Sequence, residues 1–140
     1  MIEPLFLDTA YLIALLHTGD QWHRAALQWR AKVVRERTPI VTTEFILVEF
    51  ADGLAELRFR QLAEETIAAL RNNPFVEVVA ASTELFDSGL ELFCDRPDKE
   101  WSLTDCTSIV VMEQYGLTQA LTSDHHFEQA GFRALLREEA

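Results

Sequence analysis

Basic residues are scarce in this chain. Lysine and arginine together number 12 against 23 aspartates and glutamates, a formal net charge of −11. That is the wrong sign for a protein that coats nucleic acid non-specifically; it suits a metal-loaded site, a basic partner or plain solubility. Cysteine is nearly absent. Cys94 and Cys106 stand without CxxC spacing, which excludes a zinc knuckle, argues against a disulfide scaffold and points to a reducing compartment. Long apolar runs are missing too. The run "AYLIALL" near the N-terminus falls far short of a membrane span. The opening "MIEPLFLDTA" has no basic segment and carries Glu3 and Asp8, so it does not read as a signal peptide. There is no internal repeat, linker or low-complexity tract. What is present is a 49% hydrophobic fraction, ample for a core. The expectation is one soluble, cytoplasmic domain over residues 1–140, with no membrane partner.

Short apolar runs alternate with helical patterns. "EPLFL" reads as a strand closed by Asp8, and "TAYLIALLH" as a helix. "DQWHRAALQWRAKVVRER" is a second helix, stopped by Thr38-Pro39. "PIVT" is a strand, after which Thr43 caps a helix over "EFILVEFADGLAEL". A helix over "RQLAEETIAALRNN", a strand "FVEVVA" and an amphipathic helix "STELFDSGLELFCDR" follow. "SLTDCTSIVVMEQYG" is a helix with a start signal at Ser102 and a stop at Gly116. "QALT" is a strand, "DHHFEQA" a short helix and "GFRALL" a last strand. Alternation of this kind means an α/β fold: a short parallel sheet of about five strands with helices on both faces. In such sheets ligands bind beyond the carboxyl ends of the strands. Asp8 and Asp124 both end strands, so both fall on that edge.

Several acids have an ordinary explanation. Asp8 and Asp124 suit helix N-caps. Asp105 completes a capping box with Ser102. Glu44 stands in a first turn, where the helix dipole favours an acid. Glu49 is harder to dismiss. From Phe45 to Ala51 its helix is otherwise apolar, which implies packing on nearly every side. A buried carboxylate without a cation is costly, and no lysine or arginine lies within a turn. A divalent metal would serve. An exposed stripe with Asp52 and Glu56 is the competing explanation.

The segments "FLDTAYLIALL", "TTEFILVEFADGL" and "WSLTDCTSIVVMEQYGLTQALTSDHHFEQAGF" together resemble a PIN-domain ribonuclease of the VapC type, the toxin of bacterial toxin–antitoxin pairs. The resemblance runs from the first strand to the end of the chain, and it is most specific at "LDT" and "SLTDC…ALTSDHHF". It implies a three-layer PIN-like sandwich and an acidic site formed by Asp8, Glu49, Asp105 and Asp124. It implies Mg²⁺ or Mn²⁺ as cofactor, RNA as substrate, a homodimer, and silencing by an antitoxin protein laid across the site. The chain is more acidic than several members of that family.

Hard dications prefer oxygen ligands, which an all-carboxylate set supplies. A bound cation activates water and neutralises phosphoryl charge. On this reading Asp8, Asp105 and Asp124 are principal ligands, and Glu49 is a further ligand or orients water. Thr9, Ser102 and Ser123 are supporting candidates, each equally explained as a cap or turn residue. His125 and His126 read as bystanders, because adjacent helical residues point about 100° apart. His17 and His23 read as surface residues, and Cys106 as a small buried one. Trp22 and Trp29 share a helical face, for core packing or for a partner groove. Arg24, Arg30, Lys32, Arg35 and Arg37 gather on the second helix as candidates to hold RNA phosphates; a solvated face explains them equally. Arg58 with Arg60, and Arg96 with Lys99, form smaller clusters of the same kind. A non-catalytic PIN-like module that binds RNA or protein is the alternative function. A response-regulator-like domain would want a lysine near the last strands, and "QALTSD" has none.

Overall fold

In the computed structural model, which describes residues 2–140, the strands are β1 Leu5–Leu7, β2 Ile40–Thr43, β3 Val76–Val79, β4 Gln119–Leu121 and β5 Arg133–Ala134. They form one sheet in the order β3-β2-β1-β4-β5, and every neighbouring pair is parallel. The helices are α1 Thr9–Leu16, α2 His23–Glu36, α3 Glu44–Asp52, α4 Leu57–Asn72, α5 Thr83–Asp95, α6 Leu103–Tyr115 and α7 His125–Gln129. The expected parallel sheet flanked by helices is what forms. Among the described residues, no helix is long and apolar enough to cross a membrane.

β1 is three apolar residues closed by the cap Asp8, and β2 ends at Thr43, the cap of α3. All three residues of β1 and all four of β2 are buried, as central strands covered on both faces must be. Phe6, at the middle of β1, is fully buried and packs on Phe127 of α7, with ring centroids 6.2 Å apart. Asp8, Thr43, Ser82 and Asp124 stand at or just beyond the carboxyl ends of β1, β2, β3 and β4, and each accepts a bond from the first turn of the next helix. The carboxyl edge of the sheet is thus a row of oxygen-bearing side chains, placed there by the needs of helix starts.

α6, which carries Asp105, is held close to α5 by Gly89. A Cβ at that position would lie 2.6 Å from Thr107 Cγ2 and 3.3 Å from the Thr107 backbone nitrogen. Only a residue without a side chain permits that approach. Cys106 is buried between them and the loop before α6, beside Trp101.

Four elements differ from the sequence reading. The third helix stops at Asp52 rather than running to Leu57, because Gly53 turns the chain and Leu54 packs back on the core; α4 then starts earlier, at Leu57. The last strand is only Arg133–Ala134, and a 3-10 turn over Leu135–Arg137 follows. That turn buries both Leu135 and Leu136 under α2 and β4. Asp20 is not helical but accepts from the Trp22 N–H at 2.8 Å in a turn, and α2 begins at His23. His23 is half-buried and its Nδ1 lies 2.8 Å from the Ala14 carbonyl, so it is a joint between α1 and α2 rather than a surface residue. The Trp22–Trp29 face is core packing. Trp29 is buried and its Nε1 donates to the Glu138 carbonyl at 3.3 Å, while Arg137 covers Trp22. The chain's own C-terminal segment fills the groove that a partner would have needed.

Candidate active site

Asp8 stands at the end of β1 and Asp124 just beyond β4, its neighbour in the sheet; the Asp8 N–H donates to the Leu121 carbonyl at 3.2 Å. α3 brings Glu49 to the same corner, and α6 brings Asp105 at its third position. Asp8 is 4% exposed. Its Oδ2 accepts from Thr122 Oγ1 at 2.7 Å and, at 3.4 Å, from the Ala10 N–H. Thr122 Oγ1 also accepts from the Asp124 N–H at 3.0 Å, so one hydroxyl ties both strand-end acids together. Glu49 Oε1 accepts from Thr9 Oγ1 at 2.5 Å.

Asp105 performs two roles at once. It completes the capping box with Ser102, in which its Oδ2 accepts from the Ser102 N–H at 3.1 Å and its own N–H donates to Ser102 Oγ at 3.0 Å. The same Oδ2 accepts from His126 Nδ1 at 2.9 Å. A carboxylate can only accept there, so Nδ1 carries the proton. Asp124 caps α7 by accepting from the His126 N–H at 2.8 Å.

The acids feel one another. Burial, first, pushes the Asp8 carboxyl up to about 7; the Thr122 bond opposes this, and the charges of Asp105 and Glu49 add to it. Burial also raises Glu49, against the bond from Thr9, with Asp105, Asp124 and Asp52 contributing. Among the described residues no lysine or arginine pairs with any of the four acids; only His125 and His126 do. A buried carboxyl held so far above its ordinary range is a corner short of positive charge. Carboxylate oxygens with no lysine or arginine paired to them among the described residues fit a divalent cation.

The support residues divide. Thr9 holds Glu49, and Ser102 holds Asp105. Ser123 offers its carbonyl, which accepts from Arg137 Nε at 2.7 Å, and the hydroxyl that reaches the acids from this loop belongs to Thr122. Thr122 goes unnoticed in the sequence, and His126 reads there as a bystander. The spacing T-x-D, which makes a hydroxyl turn before a cap, was the available signal for Thr122. The divergence of adjacent helical positions does not keep the His125 and His126 rings apart. The two rings lie 4.6 Å apart, and ligand atoms of Asp124, His125 and His126 all fall within 4.8 Å of one another. Both residues sit in the first turn of α7, where both Nδ1 atoms swing toward the capping carboxylate.

Glu49 is not packed all round: it is half-buried, and its neighbour Val48 is 58% exposed. Glu44 is anchored elsewhere, accepting from the Ala81 N–H at 2.7 Å and from Arg71 at 3.1 Å. Of the α2 cations, Arg24, Arg30, Arg35 and Arg37 are exposed, and Lys32 lies over the Trp29 ring. Arg35 and Arg37 end α2 just before Pro39, whose carbonyl accepts from the Leu5 N–H. They therefore lie at the amino edge of the sheet, opposite the acids. Arg58 is paired with Glu56, and Arg96 with Asp98. Arg137 donates to the carbonyl of Ser123, next to Asp124 in sequence, and lies 3.8 Å from Glu128.

The PIN domain family profile matches residues 5–133. The 23S rRNA-specific endonuclease VapC20 of Mycobacterium tuberculosis is 30% identical over 129 residues, which cover 91% of this chain and 95% of that protein. The crystal structure of that protein, described as a sarcin-ricin loop cleaving toxin, superimposes with a TM-score of 0.77 at 27% identity, covering 91% of this chain and 95% of the other. FitAcB from Neisseria gonorrhoeae shares the fold, with a TM-score of 0.66 at 15% identity over 93% of this chain and 95% of its own. The resemblance read from "LDT" and "SLTDC…ALTSDHHF" thus holds along the chain, which belongs to the PIN domain family and to its VapC-type ribonucleases.

Proposed function

We propose that this protein is a divalent-metal-dependent endoribonuclease and the toxin of a toxin–antitoxin pair, with Asp8, Glu49, Asp105 and Asp124 as its catalytic carboxylates. The observation that carries the reading is the buried Asp8, pushed up to about 7 beside Asp105 and Glu49, with no lysine or arginine paired to these acids among the described residues. Asp8, Asp105 and Asp124 would hold Mg²⁺ or Mn²⁺, with Glu49 as a further ligand or as the group that orients water. The cation supplies charge neutralisation at the phosphoryl oxygens and acidifies water.

The protein's own residues supply the rest. Thr122 fixes the spacing of Asp8 and Asp124, and the Ser102 capping box fixes the rotamer of Asp105. Thr9 holds Glu49 so that its second oxygen is free to accept a proton from water. Arg137, which donates to the Ser123 carbonyl next to Asp124 and lies 3.8 Å from Glu128, is offered as the phosphate-positioning cation. VapC20 acts on 23S rRNA, so a structured ribosomal RNA loop is the first substrate class to test. A homodimer is supported by the exposed Phe86, Leu90 and Phe93, spaced along one face of α5. An antitoxin with a basic segment suits both the acidic corner and the net charge of −11.

The test is a panel of hairpin and single-stranded RNAs, incubated with Mn²⁺, Mg²⁺ or EDTA. Cleavage confined to the metal samples is expected. Cleavage that persists in EDTA would overturn the mechanism. Binding of RNA without cleavage under any metal would favour the non-catalytic module.

A further inference from the structure

We propose that His126 is a ligand of the cation held by Asp105 and Asp124, and that the site therefore selects a first-row transition dication such as Mn²⁺ over Mg²⁺. The inference rests on the metal-dependent reading above and specifies what that corner takes. Its basis is the arrangement of three atoms. His126 Nδ1 lies 2.9 Å from Asp105 Oδ2 and 3.4 Å from Asp124 Oδ1. Two ligands about 2.1 Å from one cation stand at most about 4.2 Å apart. The His126 ring nitrogen lies within that span of one oxygen from each acid, and the ligand atoms of Asp124, His125 and His126 fall within 4.8 Å of one another.

The side chain is also held for the purpose. His126 is four-fifths buried, and its own N–H is fixed by the Asp124 cap. The His125 ring lies against it, with Nδ1 3.7 Å from the same Asp124 oxygen. Two acidic oxygens facing one Nδ1 leave it two occupants, a proton or a metal. On metal binding the ring takes the Nε2–H tautomer, and the Nδ1 lone pair replaces the hydrogen bonds to the acids. Imidazole suits transition dications, whereas Mg²⁺ prefers oxygen and keeps its waters. His125, further out and more than half exposed, is a packing partner of the ring rather than a ligand.

The experiment measures binding of Mn²⁺ and of Mg²⁺ to the parent, His126→Ala and His126→Gln by titration calorimetry, with pulsed electron paramagnetic resonance of the Mn²⁺-loaded proteins. The parent should bind Mn²⁺ more tightly than Mg²⁺ and show coupling of Mn²⁺ to a directly bound imidazole nitrogen. Both variants should lose that coupling. Their Mn²⁺ affinity should fall by about tenfold or more, while Mg²⁺ affinity changes little. The parent's nitrogen coupling stands as a readout even if a variant fails to fold. A parent that binds Mn²⁺ without nitrogen coupling would overturn the ligand assignment and leave the carboxylate site intact. A parent that binds neither ion would overturn the metal-dependent reading as well.

Discussion

Replacing Asp8 by asparagine should stabilise the metal-free protein, and only at neutral to alkaline pH. Burial and the neighbouring acids raise the Asp8 carboxyl from 3.8 to about 7 in the folded state. Between these values the folded chain keeps a proton that the unfolded chain has released. Stability from this group therefore falls as pH rises from about 4 to about 7, then levels off. At about 1.4 kcal/mol per pH decade the full cost of ionising Asp8 is about 4 kcal/mol. Asparagine has nearly the same shape and its oxygen can still accept from Thr122, but a neutral acceptor forfeits about 1 kcal/mol in each bond that a charge had strengthened. With bonds from Thr122 and Ala10 at stake, a net gain of about 2 kcal/mol remains above pH 7.5. For a chain of this size that is roughly 4–8 °C in melting temperature. The assay is thermal unfolding of parent and Asp8→Asn in EDTA between pH 5 and 8.5. The advantage should grow with pH. An advantage that is equal at both ends, or a variant less stable than the parent at pH 8, would show that Asp8 is not held in an electrostatically costly site.

Asp105→Asn should lose most of the stabilisation that Mn²⁺ gives the parent, which at a hundredfold excess over the dissociation constant is about 2.7 kcal/mol; melts with and without the ion measure it, and an undiminished gain would reduce Asp105 to its capping role. Thr122→Val removes the hydroxyl shared by Asp8 and Asp124 and should cost about 1–3 kcal/mol in chemical denaturation, with weaker Mn²⁺ binding. Gly89→Ala sets a methyl 2.6 Å from Thr107 Cγ2; overpacking of about 1–3 kcal/mol should exceed the roughly 1 kcal/mol that alanine adds to a helix, and a variant that melts higher than the parent would mean α5 and α6 are not in close contact.

The alternation of short apolar runs with helical patterns made the parallel sheet legible, because central strands buried on both faces leave few other arrangements. Caps were legible for the same local reason: Ser102 with Asp105, and Thr43 before α3, declare helix starts within four residues. The elements that resisted were those decided by tertiary packing. Nothing local distinguishes "GLAEL" as helix from "GLAEL" as turn; Leu54 packing on the core decides it. Leu135 and Leu136 read as strand until η1, the 3-10 turn, buries both. In the site, the acids stood out as residues unlike their surroundings. Thr122 did not, and His126 read as a bystander, since a hydroxyl and an imidazole acquire their contacts to the acids only when β1, β4 and α6 converge. The arginines of α2 illustrate the converse. Their clustering is visible in the sequence, but Arg35 and Arg37 end at the edge of the sheet away from the acids.

The most direct test is single-turnover cleavage of a ribosomal RNA hairpin in Mn²⁺ by the parent, by Asp8→Asn, Glu49→Gln, Asp105→Asn and Asp124→Asn, and by Glu44→Gln as a control. Glu44 bridges Arg71 and the Ala81 N–H away from the site. If the four acids act as one metal-dependent unit, each of their variants should be slower by about a hundredfold or more, and Glu44→Gln should cleave at the parent's rate. Any of the four retaining the parent's rate, in a protein shown to be folded, would contradict the assignment of that acid; all four retaining it would contradict the site itself.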